Sequence, residues 1–222
     1  MFKISPSLIG SLLECPRCLW LHFNEELKRP RGFFPSLPGG MDETFKNYFD
    51  EYRQKGGLPP EIAGKIDARL FDDMEKLEIW RNVNFGRGGF KAEFPEYDIL
   101  VSGAIDELLV APDGKYIPLD FKTRGYPTKK DTHEHYRHQL DFYALLFEKN
   151  DLPPAKAGYL LFFWPEKYAD NRAEFKTELV EMEISPERAY KILKQVRDII
   201  DGLQPSAHQN CEYCNYREFL KE

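Results

Sequence analysis

The chain has no apolar run long enough to cross a bilayer. Its opening, Met1-Phe-Lys-Ile-Ser-Pro6, lacks the charged start and apolar stretch of a secretory signal. The protein is therefore expected in the cytoplasm, with no membrane partner. No glycine-rich phosphate cradle and no serine or cysteine nucleophile motif is present, so a small-molecule enzyme has no sequence signal behind it. Positive charge is not in excess. The net charge of −6 speaks against a general nucleic-acid coat protein and leaves local binding open. No repeat or low-complexity tract interrupts the 222 residues, a length that suits one sizeable core. Cysteine is scarce, with four in all.

What is there begins with a hairpin. Two runs rich in Ile, Leu, Val and aromatics, residues 101–111 and 115–122, flank Pro112-Asp113-Gly114, where Pro presets a turn dihedral and Gly accepts positive φ. Folded about Asp113–Gly114, Asp106 lies opposite Asp120. Opposed carboxylates repel unless positive charge stands between them, and a divalent cation supplies it. Lys122 follows two residues on, on the same face by the strand period. The other reading is an ordinary hairpin whose Asp and Lys face solvent while Ile117, Leu119 and Phe121 face the core. Just beyond, residues 122–138 carry Lys122, Arg124, Lys129, Lys130 and Arg137 against Asp131 and Glu134. Such a segment could hold a polyanion or be a solvated loop.

Ser5-Pro6 is expected to open a helix with a stripe of Leu8, Leu12 and Leu13. Residues 29–40 read as a loop, a helix follows from about Asp42 to Gln54, and residues 61–80 read as mostly helical. Strands are expected within residues 90–110, at 157–164 and at 175–184, with a helix near 133–149 and a last one capped by Ser185. All four cysteines fall in two C-x-x-C pairs, Cys15/Cys18 and Cys211/Cys214. In a reducing compartment four thiolates can close a tetrahedral zinc site or ligate an iron–sulfur cluster, clipping the two ends of the chain together. The aromatics around them (Trp20, Phe23, Tyr213, Tyr216, Phe219) lean toward the cluster.

With Gly103-x-x-Asp106, Asp120-x-Lys122 and Gln139-x-x-x-Tyr143 in this order, the chain resembles the PD-(D/E)xK nuclease superfamily. Its RecB-type nuclease domains and the CRISPR-associated iron–sulfur exonucleases are the nearest branches. The resemblance implies an α/β (α+β) restriction-endonuclease-like fold over residues 1–222, a mixed central sheet flanked by helices, with 1–30 and 204–222 forming a cysteine metal-binding subregion. It implies Mg²⁺ or Mn²⁺ on Asp106 and Asp120, with Lys122 orienting or deprotonating the attacking water, and Gln139 and Tyr143 holding the substrate backbone. A 4Fe–4S cluster, or Zn²⁺ in its place, is implied at the cysteines. The family usually places a histidine in an early helix, where this chain reads Gly39-Gly40-Met41-Asp42-Glu43-Thr44-Phe45-Lys46. Asp42 or Glu93 could complete the metal shell instead. The iron–sulfur members use one N-terminal and three C-terminal cysteines rather than two and two, and Leu220 stands near where their last one falls. The implied activity is DNA hydrolysis on single strands or at ends, with Arg124, Lys129, Lys130 and Arg137 holding the strand and Phe33, Phe34, Tyr126 and Tyr136 available to stack on bases. Protein partners in DNA repair or CRISPR adaptation would go with it. The alternative is an inactive nuclease fold kept as a nucleic-acid-binding or assembly subunit.

Overall fold

The computed structural model describes residues 1–30, 36–82 and 88–219; Phe33, Phe34 and Leu220 lie outside them. The chain forms a mixed α/β structure of two sheets flanked by helices. In the first sheet β1 (Phe2–Ile4) runs parallel to β4 (Ile99–Gly103), which pairs antiparallel with β3 (Phe90–Phe94). The second has the order β2-β5-β6-β7-β8, built from Arg69–Leu70, Glu107–Val110, Tyr116–Thr123, Ala157–Ala169 and Arg172–Glu183. Only β6 and β7 run parallel there, because helix α5 (Arg137–Glu148) connects them as a crossover.

The expected hairpin is β5–β6. Gly114 sits at φ +81°, and the pairing runs from Val110↔Tyr116 to Glu107↔Leu119. Asp113 steadies the turn by accepting from the Lys115 N–H at 3.2 Å. Both faces of β6 are covered. On one side Ile117, Leu119 and Phe121 pack with Phe45 and Phe49 of helix α3 (Ser36–Gln54). On the other lies α5, with residues 140–147 all buried. Asp120 is 1% exposed, so the solvent-facing reading of the hairpin does not hold.

Other expectations are corrected. Helix α3 begins at Ser36 rather than near Asp42, since Pro38 in the first turn forfeits an N–H that has no helical partner there. Residues 61–80 are not one helix. They hold turns, the two residues of β2, and helix α4 (Met74–Arg81), capped by Asp73 accepting from Lys76 N–H. In α1 (Pro6–Glu14) it is Ile9 that is fully buried, while Leu13 is half exposed. Cys15 caps α2 (Pro16–Asn24) and Cys211 directly precedes α7 (Glu212–Phe219), so each cysteine pair opens a helix. Ser185 caps α6 (Pro186–Asp201) as expected.

Candidate active site and cysteine centre

Asp106 lies one residue before β5, where the β5–β6 register carried one step further sets it across from Asp120. Its Oδ2 accepts from the backbone N–H of Phe121 at 2.9 Å, which pins the carboxylate to the partner strand. Gly103 sits in a close approach: a Cβ there would stand 3.3 Å from the Pro6 ring and 3.4 Å from Leu146, so a side chain would have to push its neighbours back slightly. On β6, Asp120 and Lys122 form an ion pair under α5. Gln139, from the first turns of α5, donates to Asp120 Oδ1 at 2.8 Å and accepts from Lys122 Nζ at 2.9 Å. Tyr143, one helical turn on, donates to Asp120 Oδ1 at 3.2 Å. Apart from Gly103, the named residues of the three motifs therefore meet: Asp106, Asp120, Lys122, Gln139 and Tyr143.

Burial and the charge on Asp120 push the Asp106 carboxyl up to about 6, against the pull of Lys46 and Lys122. Burial alone would lower the Lys122 ammonium, but Asp120 and Asp106 outweigh it and raise its pKa. Burial, reinforced by Asp120, keeps the Tyr143 hydroxyl firmly protonated. Asp120 Oδ2 is buried against the Lys122 ammonium yet receives no aligned hydrogen bond.

The early helix delivers a lysine. Lys46 Nζ stands 2.6 Å from Asp42 and 3.4 Å from Asp106, so Asp42 reaches the site by way of Lys46. Glu93 is not brought there. Strand alternation turns Ala92 and Phe94 into the core and leaves Glu93 exposed on β3, in the other sheet. Sequence reasoning also missed the support behind Asp106. Glu107 is fully buried and ion-paired with Arg53 at 2.5 Å and Arg81 at 2.8 Å. Both arginines also pair with Asp50, and Arg81 Nε donates to the Asp106 carbonyl at 2.9 Å. The available signal was the stripe Asp42, Lys46, Asp50, Arg53 at helical spacing on α3.

In the basic segment Lys129 and Lys130 are exposed. Arg137 is held by a bidentate pair with Glu134, both contacts at 2.7 Å. Arg124 lies over the exposed ring of Tyr126, and Tyr136 is covered by Lys122 Nζ 4.6 Å from its centroid. An open cavity of about 840 Å³ lies beside α1 and the cysteines, where Lys3, Lys28, Arg29 and His22 line it with Glu14. The four thiols from both ends of the chain are buried, with Sγ atoms all within 4.8 Å of one another. Individual separations are 3.5, 3.6 and 3.9 Å. Arg29 donates toward Cys211 Sγ, and the His208 N–H donates to Cys15 Sγ at 3.4 Å.

The profile of the PD-(D/E)XK nuclease superfamily matches residues 34–219, a span that contains this entire hairpin site. The chain belongs to the PD-(D/E)XK nuclease superfamily. Its members are typically hydrolytic nucleases, and those nucleases use divalent metals. No curated protein matches the chain. Among solved structures, the crystal structure of SSO0001 is similar at 20% identity and a TM-score of 0.49, covering 99% of this chain and 84% of that one. The residues of this PD-(D/E)XK chain fit a divalent cation: two opposed carboxylates, Asp120 buried and Asp106 partly so, with the proton affinity of Asp106 raised by burial and by the charge on Asp120. No helix among the described residues is long and apolar enough to cross a membrane.

Proposed function

We propose that this chain is a Mg²⁺- or Mn²⁺-dependent deoxyribonuclease that hydrolyses phosphodiester bonds on single strands or at duplex ends. The observation that carries this reading is the convergence of Asp106, Asp120 and Lys122 under Gln139 and Tyr143. A divalent cation on Asp106 and Asp120 would polarise a phosphoryl oxygen and make a nearby water acidic. Lys122, held as an ammonium by Asp120 and Asp106, orients the water and offers donors to negative charge growing on the phosphate. Gln139 bridges Lys122 and Asp120, so it fixes the distance between cation ligand and ammonium. Tyr143 and Gln139 hold Asp120 through Oδ1, while Oδ2 faces the Lys122 ammonium. The exposed Lys129 and Lys130 supply screened, salt-sensitive attraction for the nucleic-acid backbone. Arg124 and the basic cavity near α1 extend that attraction. Arg137 is committed to Glu134 and contributes less.

At the cysteines we assign one structural Zn²⁺. Four thiolates at roughly 2.3 Å from a tetrahedral ion stand roughly 3.8 Å apart; three of the Sγ pairs match this at 3.5 to 3.9 Å, and all four atoms lie within 4.8 Å of one another. A 4Fe–4S cube, with one thiolate on each outer iron, needs them spread more widely.

The test is an assay on end-labelled single- and double-stranded DNA, and matching RNA, with Mg²⁺ or Mn²⁺. Metal-dependent cleavage of DNA is expected, lost by about 10³-fold or more in Asp120→Ala and in Lys122→Ala, with the circular dichroism of both unchanged. Full activity in either variant overturns the site. Binding without cleavage in the wild type points to the inactive subunit instead.

A further inference from the structure

Helix α3 presents Asp42, Lys46, Asp50 and Arg53 on one face, directed at the start of β5. Lys46 is fixed by two acids, 2.6 Å from Asp42 Oδ2 and 3.4 Å from Asp106 Oδ1, with its side chain 16% exposed. Each hairpin carboxylate therefore carries its own ammonium: Lys46 beside Asp106, Lys122 beside Asp120. A second divalent ion on Asp106 would have to enter where Asp42 holds the Lys46 ammonium.

We propose that the Lys46 ammonium takes the place of a second divalent ion, so that the hairpin site binds one metal per chain and Lys46 supplies the remaining positive charge to the scissile phosphate. The proposal rests on the nuclease reading above and goes beyond it in fixing the metal count and naming a further substrate-contacting group. Charge balance supports it. Asp42, Asp106 and Asp120 against Lys46 and Lys122 leave one negative charge. One divalent ion turns that into a single positive charge, matched by one phosphodiester. A second ion would leave three positive charges facing the same phosphate, beside two ammonium groups that are each only 16% exposed, where like charges repel. The signal is local to this chain: where a histidine would add a ligand, the helix offers an acid holding a cation.

The experiment titrates Mn²⁺ into the full chain with its cysteine site zinc-loaded, counting ions by electron paramagnetic resonance and calorimetry. The difference between wild type and Asp120→Asn gives the hairpin count. One ion is expected in the wild type. Lys46→Met removes the charge at nearly constant length and is expected to bind Mn²⁺ about tenfold tighter or more, while DNA cleavage falls by about 10²-fold. Lys46→Arg, which keeps the charge, is expected to retain the wild-type count and affinity. Circular dichroism confirms that the variants fold. Two carboxylate-dependent ions in the wild type, or unchanged Mn²⁺ affinity in Lys46→Met, overturns the proposal and leaves the nuclease reading standing. No carboxylate-dependent ion at all, together with no cleavage, overturns both.

Discussion

Gln139 is the residue through which the strand chemistry and the helix geometry meet. Its amide donates to Asp120 and its carbonyl accepts from Lys122, with Tyr143 a hydrogen bond of 2.7 Å away. Removing it frees Lys122 to swing and leaves Asp120 with one fewer donor, without opening the apolar core. Gln139→Ala is therefore expected to lower metal-dependent cleavage by about 10–100-fold with the melting temperature within a few degrees of wild type; steady-state kinetics beside a thermal melt measure both. The facing of Asp106 and Asp120 is legible in the sequence because the Pro112-Asp113-Gly114 turn supplies the point about which the hairpin folds. Their burial is not legible. Asp and Lys alternating with Ile117, Leu119 and Phe121 read the same whether the polar face meets water or a helix. That α5 covers the face is decided by the crossover between β6 and β7. Glu93 failed to join for the same reason in reverse, since alternation alone does not say which face of β3 meets the site.

Helices α3 and α4 and strand β5 are tied together by an ion network that no short sequence window could show. Arg53 of α3 and Arg81 of α4 converge on Glu107, with Asp50 balancing the second positive charge. The network lies directly behind Asp106, whose carbonyl Arg81 also grips. Cutting one member of a buried, charge-balanced set leaves the others desolvated and unpaired. Glu107→Ala is expected to cost about 3–5 kcal/mol of stability, seen as a lower denaturant midpoint; a loss under about 1 kcal/mol would mean that the arginines find water instead. Element boundaries were the least legible part of the sequence. Residues 61–80 carry helix-forming side chains, yet only Met74–Arg81 forms α4, because β2 takes Arg69–Leu70 to pair with β5. Tertiary pairing overrode local preference there. On the far side, buried Asp141 fixes α5 to α6 by accepting from Arg188 at 2.8 and 2.9 Å and from the Ser185 N–H. The face of α5 that serves the site is thereby set by packing away from it.

Across the whole molecule, the cysteine centre joins α2 to α7, residues nearly two hundred positions apart. A cross-link closing so long a loop is worth roughly 5 kcal/mol in chain entropy. One zinc per chain by elemental analysis is expected, and Cys214→Ser is expected to lose it and melt about 10 °C lower; a brown, iron-containing protein with broad visible absorbance would contradict the zinc assignment. The pairing of C-x-x-C motifs was legible from spacing alone, whereas the choice of metal depends on how far apart the sulfurs stand.

The hairpin site and the cysteine centre share no residue, so each can be tested with the other intact. The most direct test of the central claim is a crystal of the full chain soaked in Mn²⁺ and measured at the manganese absorption edge. One anomalous peak between the carboxylates of Asp106 and Asp120, with Lys122 and Lys46 on either side of it, is the expected result. No peak between those carboxylates, in crystals whose Asp106, Asp120 and Lys122 face different surfaces, would contradict it.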